Sequence, residues 1–163
     1  MSIADRMAIL DNGRIRQVGA PAELYDTPGS VYVARLLGSP MINILPARAS
    51  TGGGLEAAEG ALRVPAPKDA APAAEIGVRP EDLSVEPWRE GQPQVPARVF
   101  EVEPLGGYTV VTLDCGAARL RAMLRGQPGI RPDALVSLSC AHERVHYFAA
   151  GGSTLPQSRA AQT

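Results

Sequence analysis

The sequence predicts a mainly β chain: a small antiparallel barrel or sandwich, preceded by a β-hairpin and two short helices. Three observations point there. Short apolar segments, many of them alternating, recur between clusters of Gly and Pro. Gly 17 and Pro 15 together approach a fifth of the 163 residues, which favours turns and short strands over long helices. A hydrophobic share of 45% supports a core, and aromatics at 4% leave that core to Val, Leu, Ile and Ala.

The elements follow in order. Met7-Ala8-Ile9-Leu10 and Ile15-Arg16-Gln17-Val18 flank Asn12-Gly13, a strong hairpin signal because a type I′ turn needs positive φ at both centres. Pro21 suits a first helical position and Glu23 a first turn. Ser30 can N-cap a second helix over 31–37, closed by Gly38, with Val33, Leu36 and Leu37 on one apolar stripe. Hairpin and helices together are too small to bury a core alone.

Beyond Gly38 the strand-like segments are 42–47, 55–64, 75–78, 83–85, 95–102, 108–114, 118–124, 135–140 and 145–148. In one of them Tyr108, Val110 and Thr112 face one way and Thr109, Val111 and Leu113 the other. Turns are expected at Gly52-Gly53-Gly54, Gly106-Gly107, Asp114-Cys115-Gly116 and 126–132. Residues 65–74 read as an Ala/Pro loop, and from Gly151 the small polar composition predicts a flexible tail.

Composition excludes several function classes. Net charge is -1 and the pI about 6.1, so no basic footprint for nucleic acid exists. No run approaches the roughly 18 apolar residues of a membrane span. Asp5 and Arg6 stand where a secretory leader would be apolar, so a cytoplasmic chain is expected. Cys115 and Cys140, without CxxC spacing, read as small apolar strand residues in a reducing compartment. The only lysine, Lys68, lies in the Pro65-Ala66-Pro67-Lys68-Asp69 stretch. A P-loop needs a glycine-rich turn ending in Gly-Lys-Ser/Thr, so none can be assembled.

His142-Glu143-Arg144-Val145-His146 spells HExxH. On a helix both imidazoles would share one face and one ion. In a strand, which Val145, Tyr147 and Phe148 favour, they would lie about 13 Å apart. No Asp, Glu or His follows His146 to serve as third ligand. The expectation is no metal site and no catalytic residue; no G-x-S-x-G elbow is present either. Gly52-Gly53-Gly54 is a hairpin turn rather than a phosphate loop, and Glu101 with Glu103 forms a solvated strand face.

The string ADRMAILDNGRIRQVGAPAELYDTP, residues 4–28, resembles the segment after the switch histidine in ATP-binding subunits of ABC importers. SVYVARLLGSPMINILPAR, residues 30–48, is similar to the sugar and glycerol-phosphate importer branch. IGVRPEDL, EVEPLGG and HERVHYF resemble that family's C-terminal OB-type (TOBE) region. The resemblance implies a division into three parts. Residues 1–38 would be the end of a nucleotide-binding domain, 39–150 an OB-like regulatory barrel, and 151–163 a flexible tail.

It further implies a chain that pairs with a second copy and, in the full-length protein, docks on membrane subunits at the cytoplasmic face without inserting. Walker A and B, Q-loop, signature motif and switch histidine are not in the sequence, so no cofactor is expected here, although the full-length family uses ATP and Mg. The regulatory or interface residues implied are Arg79, Glu81, Gly106 and Gly107, with Arg79 and Glu81 bracing their turn by a local ion pair. Two rival expectations stand beside this one: a free-standing barrel that binds an oxyanion such as molybdate, and a truncated gene product without a role of its own. The helix and strand that would bury against absent ATPase elements are expected to fold back on the barrel, self-associate or remain disordered.

Overall fold

The computed structural model describes residues 4–67 and 73–155; residues 68–72 of the Ala/Pro stretch, with Lys68, and the tail from residue 156 lie outside the described residues. Strands β1 (Met7–Asp11) and β2 (Arg14–Gly19) pair antiparallel as a two-stranded sheet. Asn12 at φ 49° and Gly13 at φ 74° supply the left-handed centres that the turn demands. Helix α1 (Pro21–Asp26) starts with proline in its first turn, and α2 (Val31–Leu36) is N-capped by Ser30, whose Oγ accepts from the Val33 amide at 3.3 Å. Leu37 is already extended and Gly38 left-handed, so α2 ends one residue before the expected end.

Eleven further strands, all antiparallel, build the barrel. They are β3 (Asn43–Pro46), β4 (Arg48–Ala49), β5 (Leu55–Ala57), β6 (Leu62–Val64), β7 (Glu75–Val78), β8 (Leu83–Pro87), β9 (Ala97–Pro104), β10 (Tyr108–Cys115), β11 (Ala118–Arg125), β12 (Leu135–Cys140) and β13 (Val145–Phe148). Five form a sheet in the order β11-β10-β9-β12-β8; β13-β7-β3 and β4-β5-β6 form two smaller ones. The expected strand over 55–64 is broken into β5 and β6. Ala58, Glu59 and Gly60 in succession have positive φ, a turn that no strand can contain.

One core joins the sheets: Leu45, Leu62, Ile76, Val78, Val99, Val111, Leu113, Leu120, Leu138 and Tyr147 belong to one buried cluster. Asn43 closes the gap between the small sheet and the free edge of β11. Its Nδ2 donates to the carbonyls of Val78 (3.1 Å) and Arg121 (2.8 Å), and its Oδ1 accepts from the Arg121 amide (2.8 Å). A side chain thus stands in for a neighbouring strand.

The helix pair rests on this barrel. Leu24, Val33 and Ile9 make a small core of their own, while Ala34 packs with Ile42 and Phe148 of the barrel. Residues 151–155, placed in the flexible tail by the sequence, instead turn back to the helices. Ser153 bridges Ser30, Gly152 accepts from the Val31 amide, and the Leu155 amide donates to Tyr147. Their small side chains suit a close approach as well as they would suit a tail.

Candidate functional site

Arg79, the residue after β7, is 2% exposed and is the largest fully buried side chain among the described residues. It is not paired with Glu81, so the expected local ion pair is corrected: both residues reach across to α1 instead. The guanidinium lies flat over the Tyr25 ring, 3.3 Å from its centroid. Nη1 donates to the Leu37 carbonyl at 2.8 Å and Nη2 to the Tyr25 carbonyl at 2.5 Å, while buried Nε has no hydrogen-bond partner among the described residues. The Tyr25 hydroxyl donates to the exposed Glu81 carboxylate.

The reason is geometric. Pro80 starts a single 3-10 turn (Pro80–Asp82) that carries Glu81 outward, and strand alternation points Arg79 toward the helices. Burial, and then the bond to Glu81, push the Tyr25 phenol up to about 12, so it remains a proton donor at neutral pH. Tyr25 carried no signal in the sequence beyond its place in a short helix. Asn43 did carry one: it is a polar residue inside an otherwise apolar run.

Gly106 and Gly107 sit in the three-residue tip between β9 and β10, where the Leu105 amide donates to the Tyr108 carbonyl and Gly106 has φ 84°. They are remote in chemistry from Arg79 and make an exposed tip between Leu105 (55% exposed) and Tyr108 (40%). A bulge in β9 lies between Val99 and Glu101, so Phe100 turns outward, and the Arg119 guanidinium stacks 3.9 Å from its ring centroid.

The HExxH histidines do not face one ion. His142 begins a 3-10 turn (His142–Arg144) and His146 lies inside β13. The Tyr147 hydroxyl donates its one proton to the Pro65 carbonyl at 2.9 Å, so His142 Nδ1, 3.1 Å away, is the donor of the second bond. Burial first, and then the positive charge of Arg79, lower His146 to about 4, which keeps it neutral. Among the described residues no group of three or more His, Cys, Asp or Glu converges as a metal site. The free thiols of Cys115 and Cys140 are both pushed up to about 12, chiefly by burial, far from nucleophilic range. A cleft of about 630 Å3 between β3, β5 and the β10–β11 turn is lined by Arg48, Glu56, Glu59 and Arg119 among apolar neighbours.

Residues 76–148 match the family model described as the TOBE domain. An uncharacterised ABC transporter ATP-binding protein of Sinorhizobium fredii is 36% identical over 154 residues, covering 87% of this chain and 39% of the relative. The chain is similar to the C-terminal part of ATP-binding proteins of ABC transporters, with the TOBE match inside it. Other relatives agree. An sn-glycerol-3-phosphate import ATP-binding protein of Rhizobium meliloti is 34% identical over 160 residues, covering 95% of this chain and 43% of that protein. One of the same description from Chromohalobacter salexigens is 32% identical over 162 residues, with 97% and 44% covered. The chain spans about two fifths of the length of the relatives it matches, and corresponds to the C-terminal, TOBE-bearing segment of such an ATP-binding subunit. Among the described residues no helix is long and apolar enough to cross a membrane.

Proposed function

We propose that this chain is the regulatory and dimer-forming part of the ATP-binding subunit of an importer for sugars, polyols or glycerol phosphate, acting by contact rather than catalysis. Residues 1–38 end a nucleotide-binding domain in this reading, and the barrel over 39–150 is the TOBE module beside it. The observation that carries it is the outward face of the β1–β2 hairpin. Leu10 (58% exposed), Ile15 (65%) and Val18 (43%) stand wet side by side on a two-stranded sheet. Such a strip fits a surface that meets further protein.

The solute class rests on the glycerol-phosphate import relatives, and the docking on membrane subunits at the cytoplasmic face rests on the same likeness. ATP and Mg would be handled elsewhere in the full-length subunit, since the sequence contains no glycine-rich Gly-Lys-Ser/Thr turn. Pairing with a second copy is assigned to the exposed Leu105–Tyr108 tip of the barrel. Sedimentation equilibrium tests it: wild type gives a concentration-dependent dimer, and Leu105→Glu with Tyr108→Glu weakens it. A strict monomer at every concentration would remove the dimerisation role.

A second reading has one observation in its favour, the cleft with Arg48 and Arg119 on its wall. It would make the barrel a small-anion binder. Calorimetric titration with molybdate, tungstate and glycerol phosphate separates the two, because the contact reading expects no saturable heat.

A further inference from the structure

We infer that the helix pair and the barrel are coupled by a releasable latch, in which the Arg79 guanidinium closes the C-terminal ends of both helices at once. A helix leaves its last carbonyls without partners, and those of α1 and α2 converge here. The Tyr25 carbonyl lies in the last turn of α1 and the Leu37 carbonyl caps α2; each takes one arm of the same fork. The cation also sits where both helix dipoles are negative. Tyr25 is clasped from both sides, with the guanidinium on its ring and Glu81 on its hydroxyl.

Three features make the joint releasable rather than permanent. Helices of six residues do not hold themselves in water, so their order depends on docking. The apolar contact beneath is thin, with Ala34, Ile42 and Phe148 as its buried members. Third, among the described residues Arg79 has no carboxylate within ion-pair distance and its buried Nε has no hydrogen-bond partner. The charge is held by carbonyl dipoles and a ring face, an arrangement that gives way when α1 is pulled while the barrel core stays intact. A force or contact on α1 is therefore transmitted to β7, and from there to β3 and β13. The inference concerns this chain alone and does not rest on the importer reading.

Hydrogen-exchange mass spectrometry on the whole chain tests it. The reporters are the amides of Leu24, Thr27 and Ala34, bonded within the helices, against those of β10 and β11 in the barrel. In Arg79→Lys, which keeps the charge but loses the fork, the helix amides should exchange at least about tenfold faster. Barrel amides should stay within about twofold of wild type. Tyr25→Phe keeps the ring and loses the bond to Glu81, and should give the same local pattern more weakly. Should Arg79→Lys fail to fold, Tyr25→Phe decides alone. Unchanged helix protection, or an equal loss in helices and barrel, overturns the latch.

Discussion

Asn43 shows how much one side chain can hold. Its three hydrogen bonds satisfy the edge of β11 and the Val78 carbonyl in a buried position. Asn43→Ala leaves those groups unpaired, and a loss of about 2–4 kcal/mol in urea unfolding is expected. His146 gives a pH signature. Unfolded, its imidazole takes a proton near 6.5; folded, not until about 4. Between these values the unfolded chain binds more protons, so falling pH favours unfolding, and stability is regained as pH rises. The loss is about 3 kcal/mol at most, and carboxyl groups such as Asp82, raised by burial, act in the opposite sense. Subtracting the profile of His146→Gln from wild type, from about pH 7 to about pH 4.5, isolates the histidine. An identical pH slope in both proteins would remove His146 from the account. Neither residue's partners were legible in sequence, because Asn43 meets Arg121 and His146 meets Arg79 only through the fold. The same holds for Arg79, whose neighbours in the chain suggested Glu81 while its contacts lie on Tyr25 and Leu37.

At the scale of elements, period and punctuation were enough for most strands. β7, β12 and β13 stand where alternation and flanking turns placed them. The break between β5 and β6 was not readable, since Ala58 and Glu59 are not residues that announce left-handed backbone. The N-terminal hairpin and helices, expected to fold back, self-associate or remain disordered, fold back, with Leu24 and Val33 fully buried. Leu36, expected on the apolar stripe, stays 53% exposed because the barrel is reached by Ala34 instead. The outer hairpin face remains, and Leu10→Ser with Ile15→Thr should change stability by less than about 0.5 kcal/mol each. Light scattering should show less self-association of that double variant. A marked loss of stability would mean the face is already buried within the chain.

The whole molecule combines two levels of legibility. A mainly β chain with a helical pair at its start follows from composition and turn residues, whereas the joint between them depends on contacts more than forty residues apart, as with Arg79 and Leu37. Three of the strings that carried the resemblance, IGVRPEDL, EVEPLGG and HERVHYF, fall within the residues that match the TOBE domain, where composition had left a barrel or a sandwich open. What the molecule presents is surface: a hairpin face, a barrel tip and a latched helix pair, with its histidines neutral or hydrogen-bonded and its thiols protonated. Isothermal titration of the purified 163-residue chain with Mg·ATP, followed by a phosphate-release assay on the same sample, tests that reading most directly. No saturable heat and no released phosphate are predicted; tight, stoichiometric nucleotide binding with turnover would contradict it.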